Sequence, residues 1–345
     1  MRFFAHSALH RGTFMLAAIF LFLVGLLLLV KGGDWFVDGA TGIAHRFRMS
    51  ELLIGATVVS IGTTLPEVMV SATSAFQGVG GMAYGNAIGS VICNAALIAA
   101  VTMAVRPSKV DRRALLTPVL FFFGGTALYL FSAYFLRRFS RIIGAVLLLL
   151  FFIYLTVLVL SARKEAAIEK EERETDVTSP IPPPPVCTRT LWLELFFLVI
   201  GAAAIAFGAD LLVDNGQIIA KKLGVPETII ALVFISLGTS LPELVTAVTA
   251  LVKGHASLSL GNIIGANFLN LTLVSGISAL VRPFDLPMTA ELLGVPSSLV
   301  IDLPVMTAVM LLLTLPTVIR GKGSRLQGVM LLVLYATFCT VTLFL

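Results

Sequence analysis

The chain has 345 residues, of which 58% are hydrophobic and 12% are charged, and its mean hydropathy is +1.00. A soluble globular domain carries about 25% charged residues, so this composition excludes that class and predicts an integral membrane protein. The formal net charge of +5 does not indicate a nucleic-acid partner, because the Lys and Arg residues cluster between apolar segments and are expected to face the anionic lipid of the bilayer.

Ten apolar segments are long enough to cross a bilayer, which takes about 20 helical residues. The first follows Arg2 and Arg11, as a signal peptide would, but it has no small-residue cleavage site, and we expect a retained helix. The ten spans are predicted at residues 13–41, 51–76, 82–105, 115–136, 140–161, 191–219, 227–252, 257–281, 295–319 and 325–345.

A charged and proline-rich segment, residues 163–190, separates the fifth and sixth spans. Its charged part is expected to extend the fifth helix, and the run Pro180–Pro185 to form a stiff extended spacer. The segment is too short for a folded regulatory domain, so we interpret it as a solvated linker. The predicted units are therefore residues 1–162, 163–190 and 191–345.

The sequence contains an internal repeat. Adding 176 to the residue number carries the octapeptide Ser60–Glu67 (SIGTTLPE) to Ser236–Glu243 (SLGTSLPE), and the correspondence needs no gap from Asp34 to Pro107. We therefore predict two homologous halves, with the repeated segments at about 51–107 and 227–283. Because each half holds five spans, an odd number, the second half must enter the membrane inverted, as in many secondary transporters.

Loop charges predict the orientation. The side of the amino terminus holds fewer positive residues than the side of the linker, and positive charge marks the cytoplasm. We therefore expect a cytoplasmic linker and both termini outside, in the inner membrane of a prokaryotic cell. Of the 24 Lys and Arg, Lys31 lies within a span and these eight lie on the amino-terminal side: Arg2, Arg11, Arg137, Arg138, Arg141, Lys221, Lys222 and Arg282.

Each octapeptide places a glutamate near the middle of a span. A carboxylate at that depth costs about 2.5–3.5 kcal/mol, and its occurrence in both copies indicates that Glu67 and Glu243 are functional. Proline lacks an N–H group, so Pro66 and Pro242 leave carbonyls four residues earlier free to bind a cation. Each glutamate shares a helix face with two hydroxyls, which are Thr63 and Ser60 in the first copy and Thr239 and Ser236 in the second.

The third and eighth spans add amides. Asn86, Ser90 and Asn94 lie four residues apart on one face of the third span, and Asn262 and Asn270 repeat the outer two positions. For Asn86 and Asn262, a structural role and an ion-ligand role remain open. The asparagines deeper in the spans, Asn94 and Asn270, are interpreted as ligands.

These candidate ligands are all oxygens. Histidines lie near the span ends or outside them, and the three cysteines occur in unrelated contexts, so a zinc site is not expected. Two carboxylates match the charge of Ca²⁺, and the neutral oxygens also suit Na⁺, whereas Mg²⁺ dehydrates reluctantly. We therefore expect inorganic cations as cargo and no cofactor.

The motifs Gly-Thr-Thr-Leu-Pro-Glu with Gly85–Asn94, and Gly-Thr-Ser-Leu-Pro-Glu with Gly261–Asn270, resemble the α-1 and α-2 repeats of the sodium/calcium exchangers of the cation/Ca²⁺ antiporter superfamily, prokaryotic type. The resemblance implies an all-α membrane protein with ten helices in two inverted repeats. It implies an antiporter that exchanges Ca²⁺ for Na⁺ by alternating access, in which the first and sixth spans slide across the other eight.

The same resemblance implies the roles of individual residues. Glu67 and Glu243 would hold Ca²⁺ or Na⁺ alternately. This sequence departs from the family at Asn270, where many exchangers carry Asp, and at Ala266, where Ser is usual, so the Na⁺-versus-H⁺ choice stays open. The other ligands implied are Thr63 and Thr239 at the central site, Ser60, Thr64, Ser236 and Ser240 at flanking Na⁺ sites, and Ser90, Asn94 and Asn270 completing the set.

Two other functions compete with this interpretation. A Ca²⁺/H⁺ antiporter would use the same glutamates, with protons replacing Na⁺. An intramembrane aspartyl-type protease would also need paired carboxylates. The protease is the weaker alternative, because its Tyr-Asp and Gly-x-Gly-Asp motifs are missing and the symmetry of the octapeptides has no use in a hydrolase.

Overall fold

The structure is a computed structural model that describes residues 2–47, 49–107, 109–175, 190–224, 238–287, 291–292 and 294–344. For residues 2–14, 162–175, 291–292 and 343–344 it describes the backbone alone. The proline run, residues 227–237 of the seventh predicted span, and Ser236 lie outside the described residues.

Ten helices follow one another along the described chain. Nine of them are long and apolar enough to cross a membrane, and α7 is the described part of the seventh predicted span. They are α1 (Arg2–Phe47), α2 (Glu51–Phe76), α3 (Gly80–Val105), α4 (Arg112–Leu136), α5 (Arg141–Thr175), α6 (Leu191–Lys222), α7 (Leu241–Val252), α8 (Ala256–Val281), α9 (Ser298–Arg320) and α10 (Arg325–Phe344).

Local chemistry explains several helix ends. The Ser50 hydroxyl accepts from the Leu53 amide and starts α2, and the Asp111 carboxylate accepts from the Arg113 amide and starts α4, as N-cap side chains do. Gly78, with a φ of +87°, takes the left-handed conformation that follows α2. The charged residues after the fifth span continue α5 to Thr175, as expected.

Four short strands lie between the helices. β1 (Arg138–Phe139) pairs antiparallel with β2 (Phe284–Asp285), and β3 (Glu291–Leu292) pairs antiparallel with β4 (Val295–Pro296). The sequence does not predict these pairs, because two residues are too few to show a periodic pattern. The second pair occupies the predicted start of the ninth span, so α9 begins later, at Ser298.

The helices α1 and α6 pack along each other through a seam of glycines. A Cβ at Gly25 would meet the backbone of Gly208, and one at Gly39 would meet the backbone of Glu194 and Leu198. As the residue number rises along α1, the number of the contacted residue falls along α6, so the two helices are antiparallel. Since α1 and α6 begin the two halves, this packing is what an inverted repeat requires.

The helices α2 and α8 are also in close contact, but they run parallel. A Cβ at Gly261 would meet the backbone of Leu52, and one at Gly265 would meet Ala56 and the Ser60 hydroxyl. The small residues of α8 thus admit α2, as the small-residue spacing predicts. Around a Cβ at Gly85 or Gly89 no described residue lies within 4 Å; the repeat-related partners, at residues 228–232, are outside the described part of the chain.

Two hydrophobic clusters hold the helices together. The larger one joins α3, α4, α5, α8, α9 and α10. A smaller one joins α1 and α6 to the edges of α2, α7 and α8, with Phe36, Val37 and Ile205 at its centre. The pair α1–α6 therefore forms a layer with its own apolar contacts, laid across the other helices.

Candidate ion-binding site

The two glutamates meet in the interior of the protein. Glu67 lies on α2 and Glu243 in the first turn of α7, and both side chains are fully buried. The two lie in one region of the interior, because Thr64 of α2 reaches the Glu243 carboxylate. The helix α2 continues through Pro66, whereas α7 begins only at Leu241 and Pro242 occupies its first turn.

Hydroxyls of the first octapeptide reach side chains of the second repeat. Thr64 Oγ1 lies 3.5 Å from Glu243 Oε1, a long and weak hydrogen bond. Thr63, one residue earlier, has its Oγ1 3.3 Å from Asn262 Oδ1 and 3.4 Å from the Ser60 carbonyl oxygen. The predicted convergence of the two octapeptides is therefore observed in the structure.

Many buried polar atoms around the glutamates have no hydrogen-bond partner among the described residues. Buried polar groups nearly always have a hydrogen-bond partner. Burial of a polar group without one costs several kcal/mol of free energy in an apolar medium. A cluster of such atoms is typical of a binding site for a cation or water. The atoms are Glu67 Oε1 and Oε2, Glu243 Oε2, Ser240 Oγ, and both amide atoms of Asn94 and of Asn270.

The two deeper asparagines occupy equivalent places. Asn94 begins a π-helical turn at Asn94–Ile98, and Asn270 begins one at Asn270–Val274. The first turn packs against α7, and the second packs against α2, so each amide belongs to the neighbourhood of the other half's octapeptide. Single π-helical turns inside α-helices are frequent at functional sites.

The remaining predicted ligands are less uniform. Ser60 is buried, but its Oγ donates to the Gly55 carbonyl at 2.9 Å, so no contact joins it to a glutamate. Ser90 is buried on α3. Thr239 Oγ1 donates to Asn86 Oδ1 at 3.2 Å. The structure therefore gathers Glu67, Glu243, Thr63 and Thr64 directly, and Ser236 is outside the described residues.

The donor set is suited to a hard cation. Within the described residues there is no group of three His, Cys, Asp or Glu side chains that could hold a metal ion. The site instead combines two carboxylates with hydroxyl and amide oxygens, which is the ligand chemistry of Ca²⁺ and Na⁺ rather than of zinc.

The comparisons with known proteins agree with this chemistry. A family model described as "Sodium/calcium exchanger protein" matches residues 17–160 and 193–344 of the chain. The chain belongs to the sodium/calcium exchanger family. Members of this family are secondary transporters and not enzymes, so the protease alternative is wrong. The predicted multi-pass membrane protein and the predicted family are confirmed.

Relatives and solved structures cover nearly the whole chain. It is 32% identical to the sodium/calcium exchanger MaX1 of Methanosarcina acetivorans, over 92% of this chain and 96% of the relative. It is 34% identical to the inner membrane protein YrbG of Escherichia coli, over 79% and 82%. A structure of the sodium–calcium exchanger NCX_Mj soaked with 10 mM Na⁺ and 10 mM Sr²⁺ matches with a TM-score of 0.75 at 31% identity, over 94% of this chain and 97% of that one. The predicted fold class is confirmed.

Ion pairs join the helix ends on the linker side of this exchanger-family chain. Lys253, in the turn after α7, lies 2.7 Å from Asp38 Oδ1 and 3.4 Å from Asp34 Oδ1 on α1. Arg46 Nε lies 2.9 Å from Glu194 Oε2 on α6. His255 Nδ1 lies 2.7 Å from Glu51 Oε1. Sequence reasoning missed these pairs, although Lys253 breaks the repeat, since Gln77 occupies its corresponding position.

A cavity of about 800 Å³ lies on the opposite side, between α6 and the two octapeptides. Two exposed carboxylates of α6 and both prolines of the octapeptides belong to its lining. The cavity therefore lies beside the octapeptides, and the ion pairs lie toward the linker side. The lining includes Asp210, Asp214, Gly62, Pro66, Thr239 and Pro242.

Proposed function

We propose that the chain is a secondary antiporter that exchanges Ca²⁺ for Na⁺ across the membrane. One observation supports this above all: two carboxylates are fully buried, and buried oxygens of both repeats have no hydrogen-bond partner within the described part of the chain. Relatives support it as well, since one is named a sodium/calcium exchanger and NCX_Mj structures come from soaks with Na⁺, Ca²⁺ or Sr²⁺.

In this proposal the carboxylates form the central site and take Ca²⁺ and Na⁺ in turn. A single Ca²⁺ balances both negative charges. Several Na⁺ can bind together only if the additional ions rest on neutral oxygens, which Na⁺ accepts. The ligands proposed are Glu67, Glu243, Thr63 and Thr239 at the centre, Ser60, Thr64, Ser236 and Ser240 at the flanks, and Ser90, Asn94 and Asn270 between them.

Transport would follow alternating access, with α1 and α6 moving as one unit across the other eight helices. The separate apolar cluster of these two helices and their glycine seam support a unit that stays intact while it moves. The cavity and the ion-paired helix ends support a state open on one side and closed on the linker side. By the loop charges, the open side would be external.

The predicted domains and location complete the proposal. Residues 1–162 and 191–345 would form the two halves, and residues 163–190 a cytoplasmic linker. Both termini would be external, and the protein would reside in the inner membrane of a prokaryotic cell, a location that the name of the inner membrane protein YrbG of Escherichia coli supports.

Ion flux tests the proposal. Membrane vesicles that contain the chain and are loaded with Na⁺ should take up radioactive Ca²⁺ when they are diluted into Na⁺-free medium, and vesicles from cells without the chain should not. Uptake of equal size with no Na⁺ on either side, driven by a pH gradient alone, would contradict Na⁺ coupling and favour the Ca²⁺/H⁺ alternative.

A further inference from the structure

Asn86 links the two repeats through both ends of its amide. Its Oδ1 accepts a hydrogen bond from Thr239 Oγ1 of the second octapeptide at 3.2 Å. Its Nδ2 donates to Ser71 Oγ at 2.8 Å and to the Glu67 carbonyl at 3.3 Å, both on α2 of the first repeat. The amide therefore ties a proposed ligand of one half to the glutamate-bearing helix of the other.

Asn262 occupies the corresponding place in the second repeat. It is fully buried on α8, and its Oδ1 lies 3.3 Å from Thr63 Oγ1 of the first octapeptide. The next residue of that octapeptide is Thr64, and its Oγ1 lies 3.5 Å from Glu243 Oε1. Each asparagine thus accepts the proton of a threonine hydroxyl that belongs to the opposite repeat.

The direction of these hydrogen bonds matters for a cation. A hydroxyl has one proton and two lone pairs, and only the lone pairs can bind a cation. If Thr63 donated its proton to Glu243, the hydrogen bond would occupy a carboxylate oxygen that the ion needs. With the proton held by Asn262, the ion can use the Thr63 lone pairs and Glu243 Oε2, which has no hydrogen-bond partner among the described residues.

We propose that Asn86 and Asn262 are positioning residues that orient Thr239 and Thr63 and do not themselves bind the ion. The inference rests on the proposed function, because it assigns a cation to the space between the octapeptides. It also decides between the structural role and the ligand role that the sequence leaves open for these two amides.

The side-chain amides of Asn86 and Asn262 differ in the number of hydrogen bonds that fix them. The position of Ser71 is taken by Ala247 in the second repeat, and Asn262 Nδ2 has no hydrogen-bond partner among the described residues. The first amide is therefore fixed at both ends, and the second only through Thr63. A side chain fixed in its binding geometry loses less freedom when the ion binds, so the Asn86–Thr239 pair is the better organised of the two.

Double-mutant cycles test whether each amide acts through its own threonine. The paired cycles combine Asn262→Ala with Thr63→Val, and Asn86→Ala with Thr239→Val. The crossed cycles, Asn262→Ala with Thr239→Val and Asn86→Ala with Thr63→Val, serve as matched controls. Two quantities are measured: the Ca²⁺ concentration for half-maximal uptake into Na⁺-loaded vesicles, and the Ca²⁺-dependent rise in Tm of the purified protein, which needs no transport.

We expect each single variant to raise the half-maximal Ca²⁺ concentration about tenfold, as the loss of one hydrogen bond at a charged site would. Because residues that act through each other are not additive, each paired double variant should be no worse than its worse single variant. The crossed doubles should multiply to about a hundredfold. The rise in Tm should follow the same pattern.

Two milder substitutions test whether Asn86 is held more firmly than Asn262. They remain informative if an asparagine variant does not fold. Ser71→Ala should raise the half-maximal Ca²⁺ concentration about threefold, because it removes one net hydrogen bond of modest strength. Ala247→Ser should lower it by a similar factor by giving Asn262 Nδ2 an acceptor. If both leave it unchanged, the inference is wrong.

Additive paired cycles would also overturn the inference, since the amides would then bind the ion or pack independently of the threonines. A fall in maximal rate with no change in half-maximal Ca²⁺ would do the same. Neither result would contradict the proposed function, because Na⁺-driven Ca²⁺ uptake is measured on the unmodified chain. If the unmodified chain shows neither Ca²⁺ uptake nor a Ca²⁺-dependent rise in Tm, the proposed function fails and the inference fails with it.

Discussion

Lys253 Nζ lies 2.7 Å from Asp38 Oδ1 and so connects the turn after α7 to the first helix. On the opposite face the repeat places Asp210 and Asp214 where Asp34 and Asp38 stand, but Gln77 takes the place of Lys253. The repeat therefore provides a pair of aspartates on each face, but the corresponding turn supplies a lysine only on the face of Asp34 and Asp38. If the chain works by alternating access, as proposed, we expect this difference to favour closure on the linker side.

Removal of that partner should shift the balance between the two open states. We expect Lys253→Gln to reduce external labelling of an Ala206→Cys variant, whose cysteine lines the cavity, about two- to fivefold. That range corresponds to about 0.4–1 kcal/mol, the upper part of the roughly 0.2–1 kcal/mol of an exposed ion pair. The measurement is the rate of reaction with an impermeant thiol reagent, on a background without Cys93, Cys187 and Cys339.

Two further variants serve as controls for this prediction. Asp38→Asn removes the other member of the pair and should act like Lys253→Gln. Gln77→Lys introduces a cation near Asp210 and Asp214 and should also reduce labelling, because it favours closure of the cavity side. If all three variants are labelled at the rate of the Ala206→Cys chain that carries no further change, the ion pair has no part in gating.

Neutralising either central carboxylate should stop transport. Glu67→Gln and Glu243→Gln each remove one of two charges that would balance Ca²⁺, so we expect Ca²⁺ uptake at background level while the protein remains in the membrane. Glu51→Gln is the matched control on α2, since Glu51 is half-buried at the helix end and pairs with His255. Normal uptake by either central variant would rule out a shared site.

Inverted halves place two repeat-related turns on opposite faces. Single cysteines at Val79 and His255, on the cysteine-free background, should react differently with an impermeant reagent in intact cells. We expect Val79→Cys to be labelled from outside and His255→Cys only after the cells are opened. Labelling of both in intact cells would contradict the proposed orientation.

The coupling ion can be tested at the flanking hydroxyls. Replacement of Ser236 and Ser240 by Ala should raise the Na⁺ concentration needed for exchange about tenfold or more. The half-maximal Ca²⁺ concentration should change far less. The reason is that the loss of one oxygen ligand weakens an ion bound only by neutral oxygens more than an ion bound by carboxylates. The measurement is Ca²⁺ uptake across a series of Na⁺ gradients. If protons are the counter-ion, the same variants should behave like the unmodified chain.

Helix bounds could be predicted where the cause lies in the nearby chain. The second span was expected at 51–76 and is observed at Glu51–Phe76, because Ser50 caps its start and Gly78 follows its end. The repeat also indicated which residues correspond, and the position of both glutamates near mid-span in two inverted halves predicted that they lie at a common site.

What the sequence could not predict depends on how helices dock. Hydrogen bonds such as Asn86 to Thr239 and Thr63 to Asn262 cross between repeats, and their partners are 153 and 199 residues apart. The offset of 176 relates residues by symmetry but does not say which ones touch. The Lys253–Asp38 pair was missed for the same reason.

The neutral amides at positions 94 and 270 leave Glu67 and Glu243 as the acidic groups of the site, and among the described residues no Lys, Arg or His side chain is buried beside them. Without cargo, two ionised carboxylates in the interior would be costly in a medium of low dielectric constant, and a buried carboxyl group takes up a proton instead. A site that is empty and has both carboxylates ionised should therefore seldom change sides. A chain that acts as an antiporter would then move Ca²⁺ only in exchange for another cation, Na⁺ or H⁺, and not as a one-way leak.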